Sequence, residues 1–382
     1  MKTIPIRTAK TLLFALVLLL AALPVTAESI FPYPVHNEVL DNGLRVILVP
    51  MESNGLASYY TIVRTGSRDE YEANRTGFAH FFEHMMFRGT ERYPAEVYNG
   101  KVTEIGADAN AYTTDDLTAY YLNIAASDLE TVMDIESDRF QRLAYAKEQF
   151  ETEAGAVYGE YRMNRTNPFF TLYEGMREVA FTEHTYGHTT MGYEEDIKIM
   201  PTLYDYSLSF FERHYRPENI IVFIVGDIEV EPTMEMAKQY YGAWQQGYVE
   251  PTIPVEPEQT EERRVEVEYE GSSLPIVWLA YKTPAFDAAD PTYLAADLLS
   301  GLAFGQTSDL YKKLVIEEQV VEFIQANLNY NRDPGTFDVI ARVKDPAKVD
   351  YVIEQIDQTV ARYQTEAADE QRLADLKSRR KF

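Results

Sequence analysis

The pentad His80-Phe81-Phe82-Glu83-His84 constrains this chain more than any other segment. On a helix, positions four apart lie one above the other, so His80 and His84 can place two imidazoles on one ion. Phe78, Phe81, Phe82 and Met85 form a broad apolar stripe on the same predicted helix, which spans 76–87 and closes at Gly89-Thr90 before Pro94. Glu83 stays within about 100° of both histidines around the axis, so it can reach a water on that ion without being a ligand. The order is His-x-x-Glu-His, with two neutral nitrogen ligands and one carboxylate base. The chain holds six histidines (His36, His80, His84, His184, His188 and His214), and two of them share a turn with an intervening Glu.

Cysteine is absent, which excludes disulfides, a thiolate nucleophile and a Cys-rich zinc site. Any metal is therefore held by His, Asp or Glu. Catalytic zinc takes three protein ligands plus water, so a third ligand must come from elsewhere. The predicted helix 147–164 offers Glu153 and Glu160, seven apart and about 20° from eclipsed. Spacing alone leaves both readable as a charged, exposed face, as Glu148 and Glu151 are. His184 and His188 are also four apart, but Gly187, Thr189, Thr190 and Gly192 predict a loop, in which the vertical alignment fails.

The chain has 382 residues, and 35 Lys plus Arg against 61 Asp plus Glu give a net charge of −26. A polyanion needs a Lys/Arg surplus to displace counterions, so nucleic acid is excluded as a partner. Hydrophobic residues at 46% and charged residues at 25% are globular values, which argues against a disordered or multi-span membrane chain. Lys2, Arg7 and Lys10 precede the apolar run Leu12–Leu23, and Val25-Thr26-Ala27 supplies the small residues of a cleavage site. Residues 1–27 thus read as a secretory signal cut after Ala27, too short in its apolar part to span a bilayer. The expected location is periplasmic or secreted, with no membrane attachment after removal.

Glu38–Pro50 reads as a hairpin around Asp41-Asn42-Gly43, and Ala57–Arg64 as a second strand. A hairpin over 110–124, helices over 128–143 and 147–164, and a buried strand over 219–226 follow. Between Gly247 and Glu262, Pro251, Pro254 and Pro257 alternate with acids, which predicts an extended, semi-rigid linker. Beyond it, strands are expected over 264–269 and 276–281, helices over 290–302 and 308–318, a hairpin over 322–343 and a helix from Val349. This repeats the first order of elements. The fold class is α+β, with two related layered units of mixed, largely antiparallel sheet and packed helices. The expected divisions are a first unit over 36–246, a linker over 247–262 and a second unit over 263–382.

At this point the sequence resembles the M16 (pitrilysin-like, inverzincin) zinc metallopeptidases, from about Leu40 to the C-terminus. Leu40-Asp41-Asn42-Gly43-Leu44 resembles their opening hairpin, Gly66-Ser67-Arg68-Asp69-Glu70 the approach to their site, and the run from Gly77 to Thr90 their metal helix. The resemblance implies one Zn2+ per chain, held by His80, His84 and Glu160, with Glu153 supporting from behind and Glu83 as general base. Asn110-Ala111-Tyr112-Thr113 resembles the edge strand whose backbone pairs with an extended substrate, so Asn110 and Ala111 are expected to bind peptide. The implied activity is that of a secreted or periplasmic zinc endopeptidase acting on peptides or unfolded segments. The alternative is a noncatalytic assembly or partner subunit, against which the intact His80, Glu83, His84 and Glu160 set argues. The second unit lacks the motif, as a noncatalytic half would, and it stops short of the family's usual end. The expected partners are a further copy of the chain or a motif-less M16 paralogue.

Overall fold

The computed structural model describes residues 31–381, and the predicted signal segment 1–27 lies outside them. The chain enters through strands β1 (His36–Val39), β2 (Arg45–Pro50) and β3 (Leu56–Val63), then helices α1 (Phe78–Met85) and α2 (Ala95–Glu104). The hairpin β4 (Asp108–Thr113) and β5 (Thr118–Ala125) follows, then helices α3 (Leu129–Arg142), α4 (Lys147–Asn164), α5 (Pro168–Ala180), α6 (Glu194–Ile199) and α7 (Tyr204–His214). Strand β6 (Ile220–Gly226) and helix α8 (Val230–Tyr241) complete the first layer pair. Its six strands are ordered β1-β2-β6-β3-β5-β4, and all neighbours are antiparallel except β2 and β6. Tyr59, Thr61 and Val63 alternate inward with Ser58, Tyr60 and Ile62 on the other face, as a sheet covered by helices on one side requires.

The second sheet is built from β7 (Ile276–Lys282), β8 (Val321–Leu328) and β9 (Thr336–Val343), ordered β7-β9-β8 and antiparallel throughout. Helices α9 (Pro291–Leu299), α10 (Asp309–Tyr311), α11 (Val349–Thr365) and α12 (Glu370–Lys381) accompany it. The strand order β7-β9-β8 repeats β3-β5-β4, so the recurrence expected from element order extends to pairing. The mixed, largely antiparallel α+β architecture is as anticipated. Each sheet has its own apolar core, one centred on Val46, Tyr59, Phe81, Phe82 and Ile224, the other on Leu314, Val339, Val343 and Ile356.

One expected strand is absent. Residues 264–269 alternate like a strand but join no ladder. In the first sheet, β2 pairs with β6, and among the described residues the second sheet has no counterpart of β6 to offer. The alternation still buries one side, against a helix: Val267 packs on Gly175 of α5, where a Cβ would come within 2.7 Å of its Cγ2. Helix α5 was itself unforeseen, although Pro168 at its first turn and Asn167, whose side chain accepts the Phe169 N–H at 3.0 Å, are start signals. Its face packs on the second sheet through Phe169 stacked on Phe323 and Tyr173 stacked on Trp278. The Pro- and Glu-rich stretch is extended yet tied down. The Glu256 carboxylate accepts backbone N–H groups of Thr182, Glu183 and His184 at 2.9–3.1 Å.

Candidate metal centre

Helix α1 is fixed at both ends and along its apolar face. Gly77 precedes it at φ 88°, and a Cβ there would meet the Met191 carbonyl oxygen at 2.8 Å, so only glycine fits. The buried Glu70 carboxyl accepts the Gly77 N–H at 2.7 Å and the Ala79 N–H at 2.6 Å, which satisfies two free donors at the start of the helix. Phe82 stacks on Phe210 with ring centroids 5.2 Å apart, and Phe81 meets Phe150 of α4 edge-on at 5.0 Å. The last contact sets α1 against the helix that carries Glu153 and Glu160. Along α4, Phe150, Glu153, Ala154, Val157 and Tyr161 are buried, so Glu153 sits on the packed face and Glu160 at its margin.

The structure brings His80, His84 and Glu160 together, with one potential ligand atom from each lying within 4.8 Å of the others. Glu160 Oε2 is 3.6 Å from His80 Nε2 and 3.3 Å from His84 Nε2. Ligands about 2.0–2.1 Å from a tetrahedral ion lie roughly 3.3 Å apart, so the two spacings to Glu160 suit zinc. His84 Nδ1 is 2.9 Å from Glu153 Oε1, which fixes the ring and turns Nε2 toward Glu160. Arg88 donates its Nε to Glu153 Oε2 at 2.7 Å and also contacts it through Nη2. His80 is oriented by packing, since its buried Nδ1 has no hydrogen-bond partner.

Electrostatics reinforce the arrangement. Hydrogen bonds to Glu153 and Glu160 push the His84 pKa up to about 9, so without a metal the two carboxylates draw a proton to this point. Burial pushes His80 down to about 4, which keeps it a neutral nitrogen donor. Hydrogen bonding to His84 holds the Glu160 carboxyl below the usual range. Burial works against ionisation of Glu153, but His84 and Arg88 outweigh it and keep that carboxylate charged. The site therefore concentrates negative charge behind two nitrogen donors, which suits a divalent cation.

Glu83 lies one step along the helix, half-buried, and burial raises its pKa. Thr113 Oγ1 donates to its Oε2 at 2.6 Å. Glu83, His84, Asn99, Asn110 and Glu153 line one cleft of about 400 Å³. β4 is an outer strand of its sheet and, among the described residues, pairs with β5 alone. The Ala111 N–H bonds to the Asn110 side-chain oxygen at 2.9 Å and so faces the open edge. Sequence reasoning gave no role to Thr113, Arg88 or Glu70. Arg88 was findable, being four residues after His84 and thus on the same face, and Thr113 shares the strand parity of Ala111.

His184 and His188 do not join this centre. They flank a 3-10 turn, Thr185–Gly187. His184 accepts the Tyr186 N–H on Nδ1 at 3.0 Å and has Nε2 3.0 Å from Asp333, so both nitrogens are engaged. His188 is buried with Nδ1 2.9 Å from the Thr189 carbonyl oxygen.

Two family profiles match the chain: "Insulinase (Peptidase family M16)" over residues 45–194 and "Peptidase M16 inactive domain" over 203–380. The zinc protease PqqE of Helicobacter pylori is 30% identical over 342 residues, which are 87% of this chain and 76% of that protein. The crystal structure of a protease from Helicobacter pylori superposes with a TM-score of 0.86 at 26% identity, covering 91% of this chain and 84% of the other. The periplasmic protease PqqL of Escherichia coli shares the fold, with a TM-score of 0.69 at 21% identity, over 92% of this chain and 40% of that one.

Proposed function

The chain belongs to peptidase family M16, and from that premise we propose that it is an exported zinc endopeptidase that cleaves peptides or unfolded segments. The observation that carries the reading is the convergence of His80, His84 and Glu160 beside Glu83 and the open edge of β4. His80, His84 and Glu160 would hold the metal, with Glu153 orienting His84. A zinc ion held there would supply Lewis acidity, to polarise a scissile carbonyl and to lower the pKa of an attacking water toward about 7. Glu83 takes a proton from that water and returns it to the leaving amine, and its burial moves its pKa in the direction such a shuttle needs.

Substrate is taken as an added strand. The Ala111 N–H, met by the Asn110 side chain at 2.9 Å, is offered to an incoming backbone once that side chain swings aside. Pairing through backbone groups tolerates many sequences and demands an extended chain, which favours peptides over folded proteins. Export rests on the charged and apolar residues before Ala27, and no described helix is long and apolar enough to cross a membrane. The deciding experiment is metal analysis of the purified protein with peptide-cleavage assays on wild type and Glu83→Gln. A Glu83→Gln protein with near wild-type turnover would sink the mechanism.

The resemblance also suggests that activity needs a second chain, a copy or a motif-less paralogue, which encloses the substrate and orders it. Sedimentation alongside an activity titration tests this. A monomer with concentration-independent specific activity and no need of an added subunit would count against it.

A further inference from the structure

We propose that the tip of the β8–β9 hairpin, Asn331–Asp333, is a positioning element for Glu83, acting through the β4–β5 turn and Thr113; the proposal deepens the endopeptidase reading and rests on it. Among the described residues β4 has one ladder partner, β5, and it packs on α1; its last residue, Thr113, pairs with Thr118 and runs straight into the turn 114–117, so the turn fixes the end of the strand. Edge strands with one neighbour open at low cost, and Thr113 would carry its hydrogen bond to Glu83 with it. A base that must meet a water within a few tenths of an ångström needs that strand end held.

The turn is clamped from three directions. Arg177 of α5 makes a paired contact with Asp115, Nη1 to Oδ2 at 2.9 Å and Nη2 to Oδ1 at 3.0 Å. The Arg68 N–H donates to the Asp115 carbonyl oxygen at 2.8 Å. The third hold, on Asp116, is shared by the β8–β9 hairpin tip and by Tyr186 of the 3-10 turn. The Arg332 N–H donates to Asp116 Oδ2 at 2.9 Å, and Tyr186 Oη donates to Asp116 Oδ1 at 2.6 Å. Asp333 anchors the hairpin tip itself, accepting Arg68 Nε at 2.5 Å and His184 Nε2 at 3.0 Å. From Asp333 to Glu83 the contacts are continuous: hairpin tip, Asp116, the turn, Thr113 Oγ1 and the Glu83 carboxylate at 2.6 Å. The half of the chain without a metal motif thereby sets the geometry of the half that has one. His184, whose spacing to His188 mimics a ligand pair, takes its place as part of this anchor.

The test is a double-mutant cycle on the full-length protein, read as kcat and KM for a peptide substrate together with bound zinc. Thr113→Val should lower kcat about 10-fold with KM and zinc unchanged, and Thr113→Ser should restore most of it, because the hydroxyl and not the shape is required. Asp116→Asn should lower kcat about 3-fold in the same pattern. Combined, the two should cost no more than Thr113→Val alone, since the turn acts through that hydroxyl. Strictly additive losses, or a fall in zinc content with Asp116→Asn, would overturn the proposal. Amide exchange gives a readout independent of cleavage. Asp116→Asn should speed exchange over 108–118 and leave β2, β3 and β6 unchanged, whereas unaltered exchange in β4 would overturn the clamp. Should Asp116→Asn fold poorly, Asn331→Ala removes a single 3.4 Å contact to Asp115 and is read by the same exchange experiment. Absence of cleavage by the wild type would count against the endopeptidase reading alone, and exchange would then decide the clamp.

Discussion

His80 and His84 are four residues apart, and so are His184 and His188, yet the two pairs end in unlike circumstances. The first sits on α1, where the helix stacks both rings toward Glu160 and the centroids are 4.8 Å apart. The second straddles a 3-10 turn, and the two rings face different surroundings: His184 is bonded to Tyr186 and Asp333, whereas His188 bonds through Nδ1 to Thr189 and keeps its buried Nε2 without a hydrogen-bond partner among the described residues. The spacing is the same; the backbone between differs. A four-residue interval becomes a ligand pair only if the intervening residues want a helix. Phe81 and Phe82 lie within the apolar stripe of a two-turn helix, whereas Gly187 sits in a 3-10 turn that ends the local helix after three residues.

That contrast can be broken at several points. Chelation, His80→Ala or Glu160→Gln should abolish hydrolysis with loss of bound zinc, because each takes away the ion or one of three ligands. Atomic absorption on the purified variants reads this directly, and a His80→Ala protein with full zinc would misplace the centre. Glu83→Gln should lower turnover by about 10² to 10⁴ while zinc stays bound, since the base goes and the ligands remain. Removing the support behind His84 by Glu153→Ala should weaken zinc affinity about 10- to 100-fold, measured by competition with a chromophoric chelator. At the small end, His184→Ala and His188→Ala should leave zinc content at the wild-type level. Zinc loss in the His188 variant would mean that the second pair had been misjudged.

Helix α1 was legible because the demands on it are local: apolar residues and the two histidines recur at a 3.6-residue period. The same holds for α4, whose observed limits, Lys147–Asn164, coincide with those read from the sequence. Strand 264–269 failed for the opposite reason. Its alternation is real, but a strand exists only with a partner, and Val267 found Gly175 of a helix instead. Glu160 as the proposed third ligand was not readable from spacing, which left it level with any charged face; only the resemblance singled it out. Thr113, Arg88 and Asp116 act through contacts 30, 65 and 216 residues away in sequence, which no periodicity encodes.

Glu256 carries a mechanical consequence. Its three amide donors outweigh the cost of its burial and hold the carboxyl down to about 2, below the ordinary 4.5. For a depressed carboxyl, the stabilisation is complete above the unfolded value and is lost only as pH falls toward the folded one. The tie therefore survives mild acid unchanged. The stretch that composition marks as a joint is riveted to residues 182–184, and α5 lies against β7 beside it. A cut in the backbone between Gly247 and Val255 would sever the covalent link without parting the pieces, so the nicked protein should still elute as one particle. Any breathing that admits a peptide is then expected at the β4 margin and not from flexing of this segment.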